Sequence, residues 1–248
     1  MALPPILKNL PLPVIGSPLF IISNPRLVIE QCKAGVVGSM PALNARPAEL
    51  LDEWLNEITT ELAAYDRANP DQPAAPFAIN QIVHKSNDRL DHDIEMVIKY
   101  KVPVIITSLG ARTDVNEAIH SYGGVVLHDI INNAFAHKAI EKGADGLIAV
   151  AAGAGGHAGT KSPFALIQEI RQWFDGPLAL SGSIASGGAI LAAQVARGCG
   201  PLAWQRLAAD RPLPALRADI LSLFNRRGAT GMPAPAIRPA PASRAPSD

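Results

Sequence analysis

No stretch of eighteen uncharged apolar residues occurs in this chain, and its amino terminus has neither the basic nor the apolar segment of a cleavable secretory signal. Membrane insertion and export are therefore unsupported, and the expected location is the cytoplasm. Cysteine is equally scarce. Cys32 and Cys199 stand far apart and neither has a CxxC partner, which speaks against a disulfide framework and against structural zinc. Both read as ordinary thiols. Aromatic residues make up only 5% of the sequence, but 48% of its 248 residues are hydrophobic, enough for the core of one α/β barrel or of two modest domains.

Net charge is also lacking, because 22 Lys and Arg balance 22 Asp and Glu. The balance conceals an asymmetry. Residues 1–196 hold 14 basic against 19 acidic side chains, whereas residues 197–248 hold 8 against 3, and all eight of those cations are arginine. The same segment carries 8 of the 22 prolines and ends in Met232-Pro-Ala-Pro-Ala-Ile-Arg-Pro-Ala-Pro-Ala-Ser-Arg-Ala-Pro-Ser-Asp. Such a composition cannot fill a core and is expected to be disordered. The chain therefore divides, on this reading, into a folded domain over 1–196 and a basic Pro/Arg/Ala-rich tail over 197–248.

Short apolar runs alternate with amphipathic segments before residue 196, which is the pattern of repeated βα units around a parallel sheet. Val14 to Gly16 is the first expected strand, and Asn24 with Pro25 supplies a cap and first-turn proline for a helix through Lys33. Val36 to Gly38 follows as the second strand. Ala48 to Tyr65 is expected to be a long helix with Leu51, Leu55, Ile58 and Leu62 on one face. The next strands are Phe77–Gln81, Val104–Thr107, Val125–Leu127, Leu147–Val150 and Leu178–Leu180. Their helices fall over Leu90–Tyr100, Asp114–His120, Asn133–Lys142 with Gly143 closing it, Pro163–Phe174, and Gly187–Ala196. Seven βα units at this spacing predict a TIM-type (β/α)8 barrel that is incomplete. After Gln194 no β-branched run is long enough for a buried eighth strand, although Leu213 to Phe224 could form a short amphipathic helix.

The sixth strand runs into Gly153-Ala-Gly155-Gly156-His157-Ala-Gly159. Glycines there let the backbone turn with φ > 0 and approach a ligand, and they leave an imidazole at a strand's carboxyl end, where parallel α/β proteins keep their chemistry. The same letters satisfy the G-x-G-x-x-G/A dinucleotide fingerprint, but the context argues against it: the motif follows the sixth strand, its helix starts only at Pro163, and no acidic residue ends the next strand. His157 could serve in proton abstraction or in holding an anion, since an imidazole titrates near neutrality. The bland alternative is a loop histidine that only bonds its neighbours.

Four further groups have both a functional and a plain structural reading. Ser181-Gly182-Ser183 follows the seventh strand and opens a helix, the place where barrels bind phosphate; otherwise it is a flexible connector. Gly16-Ser17-Pro18 and Phe20 after the first strand could wall a flat ring, with Asn80 and Gln81 supplying amides in the same layer, unless these are routine loop residues. His128-Asp129, ending the fifth strand, could line the barrel mouth. His84, Asp88, Asp91, His92 and Asp93 are metal-ligand residue types without a ligand spacing, so a solvated loop and helix start with favourable first-turn acids is expected, and no metal.

At these residues the chain resembles the nitronate monooxygenase family, also called 2-nitropropane dioxygenases. The resemblance covers roughly residues 10–195 and rests on Gly16-Ser17-Pro18, on Gly143-Ala-Asp145-Gly146 leading to Gly155-Gly156-His157-Ala-Gly159, and on Leu180-Ser181-Gly182-Ser183-Ile184-Ala185-Ser186-Gly187. It implies an FMN-dependent barrel with the flavin ring near Gly16 to Pro18 and Asn80, the loop Gly155-Gly156 beside it, the phosphate near Ser181, Gly182 and Ser183, and His157 as catalytic residue. It further implies oxidation of alkyl nitronates or nitroalkanes by O2 to a carbonyl compound and nitrite. The implied partners are that small molecule and O2, with homo-oligomers compatible and neither nucleic acid nor membrane expected. Relatives continue past the seventh helix with a Gly-Ala-Asp strand and a Gly-Thr pair that complete the phosphate site. Here Ile190-Leu-Ala-Ala-Gln194 gives way to the arginine-rich tail, which is the expectation for a truncated or frameshifted reading with impaired flavin binding. Two other readings stay open: an enoyl reductase-like NAD(P)H:flavin oxidoreductase, and a non-catalytic remnant whose basic tail binds acidic partners.

Overall fold

A computed structural model describes residues 3–8, 10–11, 13–184, 186 and 189. Six strands, β1 (Gly38–Pro41), β2 (Phe77–Ile82), β3 (Val104–Ser108), β4 (Val125–Ile130), β5 (Gly146–Val150) and β6 (Leu178–Ser181), form one parallel sheet in chain order. Ile15 adds a single parallel bridge to Val37 ahead of β1. The seven strands read from the sequence thus all have a counterpart, the first shortened to that bridge and the second shifted from Val36–Gly38 to Gly38–Pro41. Among the described residues seven α-helices accompany them: α1 (Pro5–Lys8), α2 (Pro25–Lys33), α3 (Leu50–Ala68), α4 (Leu90–Lys99), α5 (Thr113–His120), α6 (Asn133–Glu141) and α7 (Pro163–Arg171). This is a curled, partial (β/α) barrel. The expected tail over 197–248, the helices over 187–196 and 213–224, and Cys199 lie outside the described residues, apart from Ala189.

Local chemistry explains the helix ends. The Asn24 side chain accepts from Leu27 N at 3.1 Å, with Pro25 in the first turn of α2. Asn132, one residue ahead of the expected start, caps α6 through Phe135 N at 3.0 Å. Gly143 sits at φ +93° just past that helix, and Ala144 N returns to Ala139 O at 3.1 Å, the six-to-one bond of a Schellman end. On α3 the expected stripe of Leu51, Leu55, Ile58 and Leu62 is buried.

Strand alternation sorts the apolar side chains into two layers. Met40, Ile79, Ile105, Val126, Leu147 and Leu178 face the helices and join their stripes in the larger core. Each fully buried side chain of this size stabilises the fold by roughly 1.5–3 kcal/mol before entropy is counted. Val37, Ala78, Val104, Ile106, Val125 and Leu127 face the other way and form the barrel interior. Leu7 of α1 and Leu10 pack into this inner layer. The proline-rich N-terminal segment therefore contributes to the barrel's inner apolar layer, which the sequence pattern did not disclose. None of the described helices is long and apolar enough to cross a membrane.

Candidate active site

Parity along the strands fixes what the carboxyl ends present inward. Counting from inner residues Ala78, Ile106 and Leu127, the next inward positions are Asn80, Ser108 and Asp129. They are bonded in series. Asn80 Nδ2 donates to Ser108 Oγ at 2.7 Å and to Ile106 O at 3.0 Å, and Ser108 Oγ donates to Asp129 Oδ2 at 2.6 Å. Burial pushes the Asp129 carboxyl up to about 6, against the lowering effects of the Ser108 hydrogen bond and of the nearby His157 charge. Asn80 spends its amide nitrogen within this chain and keeps its carbonyl oxygen free of described partners, as an acceptor.

The residue before Asp129 behaves differently. His128 faces the helical side, 4% exposed, in a 2.6 Å hydrogen bond with Thr107 Oγ1. Burial holds its pKa down at about 4, so it is neutral and takes no part in the mouth. Of the pair His128-Asp129, only the aspartate lines the interior. Gln81, next to Asn80, is likewise turned to the helical side; it is 1% exposed and neither amide atom has a described partner.

After β5 the chain makes the glycine loop and returns. Ala152 N bonds Lys161 O at 2.9 Å and Gly159 N bonds Val150 O at 3.0 Å, which closes the loop at its base. A side chain at Gly159 would meet Val150 O at 2.8 Å and Ile131 at 3.1 Å, so the returning strand of the loop lies on the segment just past Asp129. His157 is exposed, two residues before that contact. The amides of Gly155, Gly156 and His157 donate to no described residue, and side chains at either glycine would meet open space. Gly156 has φ +68°. Consecutive free N–H groups with a left-handed residue among them make a concave anion receptor.

The β5 and β6 loops are fastened together. Ser183 N donates to Gly153 O at 3.0 Å and Ser183 Oγ to the same oxygen at 3.2 Å. Gly153 has φ +90°, and a Cβ there would overlap Ser183 Oγ; at Gly182, with φ +136°, a Cβ would fall 3.0 Å from Ala152 O. Ser181 is engaged through its carbonyl with Ala151 N at 2.9 Å. Thus Gly155, Gly156, His157, Ser181, Gly182 and Ser183 come together at the carboxyl ends of β5 and β6, and Asn80 stands on the same inner face at β2.

The first-strand loop is less available than its sequence suggests. Gly16 N donates to Val37 O at 2.8 Å, Gly16 O accepts from Ser39 Oγ, and Gln31 fills the space a Gly16 side chain would need. That glycine is therefore consumed by packing, while Ser17 stays exposed and Pro18 half-buried. Phe20 points out beneath Arg46, whose guanidinium lies 4.9 Å from the ring centroid. Among the residues of metal-ligand type, Asp93 is not solvated as expected but fully buried, bonded to Arg89 at 2.9 Å and His92 at 3.0 Å. Arg89 also reaches the Ala45 carbonyl at 2.6 Å, so the group ties α4 to the β1–α3 connection. No group of three or more His, Cys, Asp or Glu among the described residues could hold a metal ion.

A family model for nitronate monooxygenase matches residues 6–200. No curated protein sequence matches the chain. Among solved structures, FabK from Thermotoga maritima superposes with TM-score 0.65 at 22% identity, covering 77% of this chain and 57% of that one. Nitroalkane oxidase from Streptomyces ansochromogenes superposes with TM-score 0.64 at 21% identity, covering 76% and 64%. The chain thus spans less than two thirds of the length of either structure, and at these identities the likeness establishes the barrel fold.

Proposed function

The chain belongs to the nitronate monooxygenase family of FMN-dependent flavoenzymes, and from that premise we propose that it oxidises alkyl nitronates with O2 to a carbonyl compound and nitrite. Support comes chiefly from one observation. The exposed His157 is carried by a glycine loop that folds back beside the inward-facing Asn80–Ser108–Asp129 chain. An imidazole and a hydrogen-bonded carboxyl at one barrel mouth are the equipment for holding a planar anion and moving a proton.

The residues present suit the cofactor. The free amides of Gly155, Gly156 and His157 and the open space beside both glycines suit an anionic group, and the free carbonyl of Asn80 suits a ring N–H. We assign FMN to Ser17, Pro18, Asn80, Gly155, Gly156, Ser181, Gly182 and Ser183, with Gly16 shaping the first-strand loop behind them. When bound, FMN supplies an acceptor for the substrate's electrons and a donor to O2. The chain's own part is then threefold. Asn80 and the glycine amides fix orientation, the inner apolar layer of Ile106, Leu127 and Ile148 floors the site against water, and His157 hydrogen-bonds the nitronate oxygens or removes the α-proton of a nitroalkane. We take residues 1–196 as the domain that performs this and 197–248 as a separate basic segment.

Anaerobic mixing of the FMN-loaded chain with propyl-2-nitronate tests the proposal. Bleaching of the flavin absorbance, followed by nitrite release on admitting O2, is the expected outcome. Bleaching by NAD(P)H and not by nitronate would replace it with the reductase reading. Failure to bind FMN at any concentration would favour a non-catalytic interaction protein.

A further inference from the structure

We infer that Glu169 is a positioning residue for the glycine loop, a carboxylate on α7 that acts through Lys161 to hold closed the loop carrying Gly155, Gly156 and His157. Every link is a contact. Lys161 Nζ donates to Glu169 Oε2, and Lys161 O accepts from Ala152 N at 2.9 Å, so one residue joins the base of the loop to the helix that follows it. The same Glu169 oxygen accepts from Asn133 Nδ2 at 3.1 Å. Asn133 Oδ1 in turn accepts from Trp173 Nε1 at 3.2 Å, and the Trp173 ring stacks on His137 of α6 with centroids 3.7 Å apart. The carboxylate therefore stands on a braced pair of helices, α6 and α7.

Little else fixes this loop. Between Ala152 and Lys161 lie Gly153, Gly155, Gly156 and Gly159, which bring no side chain to pack and lose the most backbone entropy on ordering. Two backbone bonds close the base, Ala152 N to Lys161 O and Gly159 N to Val150 O, and Ser183 fastens Gly153. Beyond that the amides of Gly155, Gly156 and His157 have no described partner. Lys161 is the one side chain of the loop with a hydrogen bond among the described residues. Both members of its ion pair are over a third exposed, so the pair adds little to global stability and acts on how often the loop base opens. A pair of this exposure changes such a local equilibrium by about threefold. Closure of so sparsely bonded a loop is favoured only modestly, and that factor moves a large share of molecules to the open form.

Amide exchange with solvent, followed by NMR at Ala152 and Gly159 in the whole chain without FMN, reads the two bonds that close the loop. Exchange at both should quicken about twofold in Glu169→Ala and in Lys161→Met, go no further in the double variant, and return to the parent rate in Lys161→Arg. Rates unchanged in either single variant, or additive in the double one, overturn the inference. So does quickening that spreads evenly through α6 and α7, or a urea midpoint lowered in Lys161→Met, because the pair would then only brace the fold. FMN titration is the second readout: Kd should rise about twofold in Glu169→Ala and Lys161→Met and recover in Lys161→Arg, since only the closed share of molecules presents the loop amides. A Kd indifferent to all three variants also overturns it. The inference rests on the proposed function only for what the closed loop serves. Rejection of nitronates as substrates would remove that function and leave the linkage between Glu169 and the loop, read by exchange, standing.

Discussion

Acidification from pH 6.5 to 4 should change the protein's stability very little, because two groups on β4, the buried His128 and the half-buried Asp129, pull in opposite directions. His128 is held down from 6.5 to about 4, so the unfolded chain takes up that proton first and stability is lost as pH falls below 6.5. At about 1.4 kcal/mol per pH unit, that gap is worth about 3 kcal/mol. Asp129 is pushed up from 3.8 to about 6, so the folded chain takes up that proton first; its contribution is fully present below 3.8 and is lost as pH rises through 6. The same conversion, reduced because this carboxyl is only half-buried, gives about 2 kcal/mol. Removing either group should expose the other. Asp129→Asn should lose roughly 3 kcal/mol on acidification, whereas His128→Gln should gain roughly 2 kcal/mol over the same range, each relative to its own value at pH 7. Urea denaturation at half-unit pH intervals measures both slopes. Parallel curves for the two variants would show that burial does not set these ionisations.

Three further outcomes are expected. Gly153→Ala should destabilise by about 2–3 kcal/mol in urea and weaken FMN binding, because it combines φ +90° with overlap on Ser183 Oγ; Gly143→Ala, with φ +93° but open space, should cost only about 1 kcal/mol, and Gly155→Ala almost nothing. If the first were no worse than the second, the fastening of the β5 and β6 loops would be unimportant. Asn24→Ala should lower stability by about 1 kcal/mol through loss of the α2 cap, checked by the same denaturation; an unchanged midpoint would disprove the cap's role. His157→Asn should abolish most nitrite release while leaving flavin content unchanged, measured by nitrite assay and absorbance, and undiminished release would take the residue out of the mechanism.

The strands were legible because buried parallel strands are short aliphatic runs, and Phe77, Val104, Val125, Leu147 and Leu178 each begin or lie beside one. Caps were legible for the same local reason, as at Asn24 and Gly143. What a single sequence could not give was direction. His128 and Asp129 are adjacent polar residues at a strand end, and only their parity with Val125 and Leu127 decides that the aspartate faces inward; that signal was present in the letters but needs the inner face to be known. Ser108 was missed because a serine closing an apolar strand has no motif of its own. The inward packing of the N-terminal segment was missed because Pro4, Pro5 and Pro11 break the periodicity around Leu7 and Leu10, whose packing is purely tertiary.

Among the described residues each strand of the sheet lies beside its sequence neighbours, from β1 through β6. During synthesis this means that a new strand finds its template already emerged, one helix upstream, and never waits for a distant segment to complete its register. The topology therefore allows assembly in the order of translation. The pairing that fixes Asn80 beside Ile106, and Asp129 beside Ile148, can form while the ribosome is still writing the loop that carries His157.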